Sequence, residues 1–348
     1  MKFIDLIKRY QKHIIIGFLV FVFLLLARFV SSIDFHTLKE YLYETPGMII
    51  GVVFFSLLSY ISTSFAWMLC MGKEVKKTHF YEVFMIKNVG DMLAAFNPTS
   101  ILAGDGVKIM YLKKKGISGE HGLSSLFLLR ALTIISAIIL MVYALMYLTV
   151  GQLNNQNVLY IILLVLILVG VIYLIARFFL HPKMYFGNFV ENLRIKTNWS
   201  LLTDKVIESC YNINNILHDY FIDNKGKFLF AFILSAFQWI FGAMEFYIIL
   251  NMLNVHITPL DAVAVEMGVI IFKTIGSVIP GQLGIEEYGN KVMLDAIGIK
   301  SNEVWLVVSL MRRARQLFWV LVAGIFWLIT SKTSNNKEIN DGNSVHHI

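Results

Sequence analysis

The residues best suited to chemistry are charged side chains that lie within long apolar stretches of the chain. The densest group starts at Lys273 and reaches the paired carboxylates Glu286 and Glu287 after a glycine-rich loop. An ionised side chain at the centre of a bilayer costs at least about 2.5 kcal/mol, so several of them together require partners. The obvious partners are three arginines in the last apolar stretch: Arg312, Arg313 and Arg315.

The spacing of these arginines separates their directions on a helix. Arg312 and Arg315 are three residues apart and share a face, whereas Arg313 points about 100° away. We therefore predict that Arg312 and Arg315 face a polar cavity and that Arg313 is more exposed to lipid headgroups. Guanidinium groups bind phosphate bidentately, which suits a phospholipid headgroup or a polyprenyl phosphate. The alternative is a purely structural network of ion pairs that holds the loop.

The loop before the paired carboxylates combines residues that end helices and free the backbone. Pro280 ends a helix, and Gly281 and Gly284 allow a tight, exposed backbone. Glu245 and Glu266 are further carboxylates in apolar surroundings. Each of these two is either a proton-coupling group or a structural hydrogen-bond partner.

An earlier segment has similar chemistry. Pro98 stops a helix, and Asp105 sits where a half-helix resumes, with Lys108 one turn beyond it. The start of a half-helix places positive backbone ends near a bound anion. Arg130 is expected to pair with Asp91 or Asp105. The alternative for this segment is a cytoplasmic turn with a capping aspartate and a solvated lysine.

The composition requires a membrane to position these residues. Hydrophobic residues make up 57% of the chain and charged residues only 15%, which excludes a soluble protein. The net charge of +7 is assigned to loops at an anionic membrane surface and not to nucleic acid. Five apolar runs are long enough to cross a bilayer core, and a sixth contains the arginines: 13–30, 48–71, 123–150, 158–180, 228–251 and 304–330.

Two further apolar segments, 79–107 and 259–298, are broken by proline and glycine. Irregular backbone at membrane depth survives only inside protein or beside a wet cavity, so both segments are predicted to be re-entrant hairpins. With the N-terminus inside, the predicted cytoplasmic loops hold nineteen Lys and Arg residues, whereas the outer loops hold only Lys39. The hairpins then enter the cytoplasmic membrane from opposite faces, and both termini are cytoplasmic.

A shift of 182 residues superimposes the two halves of the chain, with Asp105 falling on Glu287 and Arg130 on Arg312. The predicted fold class is an all-α polytopic membrane protein, with about six spanning helices plus two re-entrant helical hairpins in an inverted repeat. Inverted repeats with broken helices are typical of carriers, whose site lies near the midplane between the halves. A duplication retained only for packing is the alternative.

The membrane domain is assigned to 1–330, with repeat one at 13–150 and repeat two at 158–330, and 331–348 is predicted to be a disordered cytoplasmic tail. Within the second repeat, the segment 181–227 is predicted to be cytoplasmic. Apolar residues at helical spacing in it predict an amphipathic helix that lies on the inner leaflet or caps the cytoplasmic mouth: Val206, Cys210, Ile213, Leu217 and Tyr220.

Two motifs carry a resemblance to a known family. They are Pro280-Gly281-Gln282-Leu283-Gly284-Ile285-Glu286-Glu287-Tyr288-Gly289 and Gly104-Asp105-Gly106-Val107-Lys108. With these motifs the chain resembles, over about residues 10–330, the flippase-like family of the lysylphosphatidylglycerol synthase transmembrane region. Gln282 stands where that family usually has a second glycine. We expect a stand-alone member without the soluble aminoacyl-transferase domain, since eighteen residues follow the last predicted helix.

The resemblance implies that the protein moves or handles lipids, among them aminoacylated phosphatidylglycerol, hopanoids or lipid-linked sugars. It also implies functional roles for the matched motif residues Asp105, Lys108, Pro280, Gly281, Gly284 and Glu287. Together with the charged residues described above, these form the predicted substrate-binding set: Asp105, Lys108, Arg130, Lys273, Pro280, Gly281, Gly284, Glu286, Glu287, Arg312 and Arg315.

The leading hypothesis is a translocase or exporter for a membrane lipid, either a charged-headgroup lipid or a polyprenyl-linked one. Lipid-biosynthesis enzymes are further candidate partners. No cofactor, metal or catalytic residue is assigned, because no phosphate-binding loop, zinc-protease motif, nucleophile elbow or dinucleotide motif occurs. One alternative is an intramembrane transferase that uses Asp105, Glu286 or Glu287 as general base. The other is a scaffold subunit of a lipid-synthesis complex.

Overall fold

The computed structural model describes residues 47–95, 100–150, 185–197, 203–276 and 284–344, together with single positions between these ranges, Gln282 among them. Over these residues the regular structure is helical throughout and includes no strand. The all-α polytopic prediction is therefore confirmed. The predicted spans 13–30 and 158–180 lie outside the described ranges.

The described part of the chain contains a series of helices. In chain order they are α1 Gly47–Cys70, a 3₁₀ helix Gly72–Lys77, α2 Phe80–Ala95, α3 Ser100–Lys114, α4 Gly119–Val150, α5 Tyr185–Thr197, α6 Asp204–Asp223, α7 Lys225–Met252, α8 Pro259–Ile275, α9 Ile285–Ala296 and α10 Asn302–Ser344.

Three of the described helices, α1, α4 and α7, are long and apolar enough to cross a membrane. They coincide with the predicted spans 48–71, 123–150 and 228–251. The predicted span 304–330 lies within α10, whose arginines reduce its hydropathy. Helix α10 runs on to Ser344, past the predicted start of the tail at 331, and the disorder of that tail stays a prediction.

Helices α1 and α7 pack against each other in antiparallel directions. A Cβ atom at Gly47 would lie 3.3 Å from Met252, and one at Gly51 would lie 2.9 Å from Ile248. Further along, the Ser59 hydroxyl donates a hydrogen bond to a carbonyl on the opposite helix, that of Gln238. The small residues of α1 therefore let the two backbones approach closely, as is common between helices in membranes.

Two helical hairpins, α2–α3 and α8–α9, occupy the segments predicted to be re-entrant. In the first, the helices touch at glycines: a Cβ atom at Gly90 would lie 2.8 Å from the carbonyl oxygen of Gly104, and one at Gly104 would collide with the Gly90 carbonyl. Helix α8 starts with a capping box, in which Thr258 and Asp261 satisfy each other's backbone N–H groups, and with Pro259 at its first turn. The hairpins thus have defined helix ends, while their entry into the membrane stays a prediction.

The helices α1 to α4 and the helices α7 to α10 form two series of four. The last helix of each series contacts helices of the other series. The Trp239 indole on α7 donates a hydrogen bond to the Thr133 carbonyl on α4, and the Tyr147 hydroxyl near the end of α4 donates to Asp261 on α8. In return, the Trp319 indole on α10 donates to the Ser56 hydroxyl on α1. Their inverted orientation in the membrane stays a prediction.

The amphipathic helix α6 packs its apolar face on the end of α1 and the start of α4. Ile213, Leu217 and Tyr220 are buried there, and the Tyr220 hydroxyl donates a hydrogen bond to the Leu69 carbonyl at 2.9 Å. The prediction was wrong for Val206, which is 39% exposed, because the helix turns Ile207 inward in its place.

An exposed ion pair, between Arg194 and Asp204, joins α5 to the first turn of α6. The hydrogen bond and the positive charge of Arg194 hold the pKa of the Asp204 carboxyl below its usual range. Both side chains lie outside the apolar helices, so this pair is a useful reference for the ion pairs inside them.

The glycine contact in the first hairpin leads to a stability prediction. Replacing Gly104 by alanine should push α2 and α3 apart and lower stability by about 1–3 kcal/mol, the usual cost of overpacking. A Cβ atom added to Gly106 on the same helix would meet nothing within 4 Å, so Gly106→Ala should keep or raise stability because alanine favours helix. Thermal melting of both purified variants in detergent measures the difference, and equal melting temperatures would contradict the packing.

Candidate functional site

One buried arginine is surrounded by carboxylates from three helices, the two of the second hairpin and α7. Arg312 on α10 is 1% exposed. Its guanidinium lies 2.9 Å from Glu266 of α8, 3.4 Å from Glu286 of α9 and 3.6 Å from Glu245 of α7. One face of the guanidinium covers the Phe246 ring at 4.3 Å. A buried arginine of this kind is tolerated only with such compensation.

The neighbouring arginines complete the group. Arg315 lies 2.6 Å from Glu245, and Arg313 lies 2.6 Å from Glu287. Arg313 is only 5% exposed, so the prediction that it faces headgroups was wrong. Glu287 in the first turn of α9 binds Arg313 on that face of α10, and Arg313 also donates a hydrogen bond to the Gln282 carbonyl. Helical spacing separates directions but does not say which directions a neighbouring element covers.

The charges of this group, which we name the late cluster, balance. In addition to its arginines, Glu286 forms an ion pair with Lys273 at 3.5 Å. The Gln316 amide donates a hydrogen bond to the Glu286 carboxylate at 2.8 Å. The cluster thus contains four carboxylates and four cations: Glu245, Glu266, Glu286, Glu287, Lys273, Arg312, Arg313 and Arg315. Glu245 and Glu266, left open by the sequence, are both partners of Arg312.

The backbone around Gly284 explains why α9 presents its carboxylates here. Gly284 has a φ of 83°, which glycine adopts without strain, and α9 begins at the next residue. The Gly284 N–H donates to the Glu287 carboxylate at 2.8 Å, and both acidic side chains lie in the first turn, where the helix dipole favours them. The Gly284 N–H at this helix start is therefore bound by a side chain of the protein itself, that of Glu287.

Gln282, which stands where the family usually has a second glycine, has a strained backbone conformation. Its φ of 52° lies in the left-handed region, where glycine is favoured. Its side-chain amide donates a hydrogen bond to the Lys273 carbonyl at 3.2 Å, which ties the loop back to α8. Of the other predicted loop residues, Pro280 and Gly281 lie outside the described residues.

A second group of charges joins α2, α3 and α4, and we name it the early cluster. Asp91 accepts hydrogen bonds from Lys87 and Lys108, each at 2.6 Å. Asp105 pairs with Arg130 at 2.5 Å and lies 3.5 Å from Lys108. Of the two predicted partners of Arg130, Asp105 is therefore the one in contact.

Two expectations for this segment were wrong. Lys108 is 5% exposed, which contradicts the alternative of a solvated lysine. Asp105 does not stand at the start of a half-helix, because α3 already begins at Ser100 and Asp105 is in its second turn. The sequence argument also missed Lys87, although its place four residues before Asp91 is the spacing of an ion pair on one helix face.

Tyr60 on α1 lies between the early cluster and α10, the helix that bears the arginines of the late cluster. The Lys87 ammonium lies 5.5 Å from the centre of the Tyr60 ring. Its ring also packs on that of Trp319 at 4.5 Å. No motif or spacing marks Tyr60 in the sequence, because its role depends on helices distant along the chain.

The comparison with known families covers the residues of both clusters. The model of the family described as lysylphosphatidylglycerol synthase TM region matches residues 14–324, which include both clusters. The chain belongs to this family. Comparisons with curated proteins and with solved structures give no match. The family and the apolar helices make this a membrane-embedded protein with a lipid-related function.

The central position of Arg312 in the late cluster leads to a prediction on stability. Arg312→Gln should destabilise the protein by about 3–5 kcal/mol, because it leaves Glu266 buried without a cation and leaves Glu245 with Arg315 alone. Adding Glu266→Gln should restore part of the loss, since it removes one uncompensated charge. The yield and melting temperature of detergent-purified protein measure both effects. A double variant no more stable than the single one would contradict the proposed pairing.

The left-handed conformation at Gln282 can be tested with two substitutions. Gln282→Gly and Gln282→Ala both remove the hydrogen bond to Lys273, but only alanine keeps the steric strain of a positive φ. The glycine variant should therefore be more stable than the alanine variant, by about 1 kcal/mol. Thermal melting compares them directly, and a more stable alanine variant would show that this conformation is not strained.

Proposed function

We propose that this protein moves a lipid with a charged or polyprenyl-phosphate headgroup across the cytoplasmic membrane, with the headgroup passing between the early and late clusters. The observation that supports this most is the presence of two groups of charged side chains among apolar helices, with Tyr60 in contact with Lys87 of one group and with Trp319 on α10, the helix that bears the arginines of the other. Headgroups do not cross hydrocarbon unaided at useful rates, because burying an unpaired charge is costly. Ionised partners inside the protein reduce that cost.

Exchange of partners is the physical step that transport requires. Within each cluster one group contacts several partners: Arg312 lies within 3.6 Å of three carboxylates, and Asp91 binds two lysines. A headgroup phosphate can replace Glu286 on Arg312, because Glu286 keeps Lys273 and Arg313 as partners. A headgroup amine can replace Lys108 on Asp91, because Lys108 keeps Asp105 as a partner. The barrier for a passing headgroup is then set by the difference in free energy between two ion pairs.

The acyl chains would stay in the surrounding lipid. Large apolar side chains point outward from the helices that bear or flank the clusters, including Ile50 and Phe54 on α1 and Leu321 and Ile325 on α10, all more than half exposed. We place both termini in the cytoplasm, from the distribution of Lys and Arg, and the two hairpins on opposite membrane faces.

The transferase alternative is less well supported by the geometry. A general base must reach the proton that it removes. Glu286 is 2% exposed and surrounded by cations, Glu287 binds Arg313 and the Gly284 N–H, and Asp105 binds Arg130. Each candidate base is therefore occupied by groups of the protein itself.

Transport is tested in vesicles that contain the purified protein and a trace of fluorescent lipid. Dithionite bleaches the label in the outer leaflet, so any label that becomes accessible reports movement across the membrane. With phosphatidylglycerol, phosphatidylethanolamine, a glucosyl diacylglycerol and a polyprenyl phosphate as the panel, we expect protein-dependent movement of at least one charged lipid. No movement of any lipid above that in protein-free vesicles would refute the proposal.

A matched pair of variants separates transport from a scaffold role. Glu287→Gln keeps the size and hydrogen-bonding capacity of the side chain but removes a charge of the late cluster, and should slow movement at least about tenfold, the effect of 1.4 kcal/mol on a barrier. Glu303→Gln makes the same change at an exposed site in the first turn of α10 and should leave the rate unchanged. Equal rates for both variants would instead favour a scaffold.

The lipid inventory of a deletion strain distinguishes transport from synthesis. Mass spectrometry should find every lipid species of the parent strain, with an altered distribution between leaflets. A missing lipid species would favour the transferase.

A further inference from the structure

The two clusters differ in their balance of charge. The late cluster has four carboxylates for four cations, whereas the early cluster has two carboxylates for three cations: Asp91 and Asp105 against Lys87, Lys108 and Arg130. The early cluster therefore carries one positive charge that no carboxylate of the cluster offsets. In an apolar setting such a charge needs an anion or water.

The surplus lies at Arg130. Lys87 and Lys108 both contact Asp91, and their side chains are 8% and 7% exposed. Arg130 contacts Asp105 through a single terminal nitrogen, and 43% of its side chain is accessible. A guanidinium has five N–H donors, so most of those on Arg130 face away from Asp105.

The depth of Arg130 makes this accessible surface unusual. Arg130 lies seven residues into the predicted span 123–150, which corresponds to about 10 Å along the axis of α4. That is roughly a third of a bilayer core about 30 Å thick. A half-accessible guanidinium at that depth faces lipid, water or a bound polar group, and contact with lipid is the costly arrangement.

The late cluster offers no comparable surface. The side chains of Arg312 and Arg313 are 1% and 6% exposed, and that of Arg315 is 16% exposed with Glu245 bound at 2.6 Å. Lys273, the most accessible cation of this cluster, is 26% exposed and lies 3.5 Å from Glu286. The N–H group at the start of α9 is bound by Glu287. The accessible positive charge of the described clusters is thus concentrated in the early one.

We infer that Arg130 is a binding subsite for an anionic phosphate group, held by the guanidinium on the side opposite Asp105, and that the early cluster selects anionic lipids over uncharged ones. The choice of a lipid as the source of the phosphate rests on the proposed function. The guanidinium binds phosphate through two parallel N–H bonds, and Asp105 fixes its orientation. The late cluster has as many carboxylates as cations, so its arginines are already paired within the protein.

Binding is measured by native mass spectrometry of the full-length protein in detergent micelles. The probes are dioleoylphosphatidylglycerol and an uncharged glucosyl dioleoylglycerol, which share their acyl chains. Wild-type protein should prefer phosphatidylglycerol, and Arg130→Gln should weaken phosphatidylglycerol binding about tenfold while leaving the uncharged lipid unaffected, because a charge-assisted pair is lost.

A second variant predicts an effect of opposite sign. Asp105→Asn removes the carboxylate that competes with the phosphate, so phosphatidylglycerol should bind more tightly than it does to wild-type protein. If the Arg130–Asp105 pair only stabilised the fold, both variants would weaken binding of both lipids. This opposition keeps the test informative even where one variant has a lower melting temperature.

Arg194→Gln is the matched control. Arg194 also pairs with one aspartate, Asp204, and its side chain is 38% exposed, close to the value for Arg130, but it lies on α5 outside the apolar helices. This variant has the same loss of charge and should bind phosphatidylglycerol as wild type does. Equal weakening by Arg194→Gln and Arg130→Gln would overturn the subsite, because it would show an effect of net charge alone.

Two further results would overturn the inference. One is equal affinity of wild-type protein for the charged and the uncharged lipid. The other is competition in which inorganic phosphate binds in an Arg130-dependent way while phosphatidylglycerol does not, which would make a free anion the ligand. The measurement does not depend on transport, so a protein that binds phosphatidylglycerol through Arg130 but moves no lipid would refute the proposed function and leave the subsite standing.

Discussion

Arg312 is a full positive charge with almost no contact with solvent, and the second half of the structure is arranged around that fact. An ionised group in a medium of low dielectric constant is tolerated only when opposite charges and hydrogen bonds replace the water it has lost. Here the replacements come from α7, α8 and α9, so these three helices must converge on α10. Much of the late hairpin's geometry follows from this requirement, including the capped start of α9 and the loop that returns Gln282 to α8.

The early hairpin meets the same requirement with fewer charges and closer backbones. Gly90 and Gly104 let α2 and α3 approach until their backbones nearly touch, which brings Lys108 within reach of Asp91 on the other helix. The cluster that results is smaller and leaves Arg130 half accessible. Two hairpins in equivalent places of the helix order therefore differ in their numbers of carboxylates and cations, and in how much of an arginine side chain they leave accessible.

Aromatic side chains pack between α1 and α10 beside the early cluster. The ring of Tyr60 packs on that of Trp319, and the Trp319 indole donates a hydrogen bond to Ser56. The Lys87 ammonium contacts the face of Tyr60, so the aromatic ring stabilises a charge without neutralising it.

The sequence by itself determined the membrane-embedded helical architecture, the family, and most of the charged residues that the structure brings together. Long apolar runs and local spacing are sufficient for this, because helix length, helix ends and pairs three or four residues apart depend on nearby residues. It also indicated that Arg130 pairs with an acidic residue of the early segment. It could not choose between Asp91 and Asp105, since the choice depends on how α3 rotates against α2 and α4.

Only the tertiary structure decided which charges are covered. Arg313 is buried because the start of α9 lies over it, and Val206 is exposed because α6 turns Ile207 inward instead. Tyr60 contacts both Lys87 and Trp319 because α1 meets α2 and α10. Each of these outcomes depends on contacts between residues far apart in the chain. Local periodicity gives the direction of a side chain on its own helix, whereas burial depends on what another helix places in that direction.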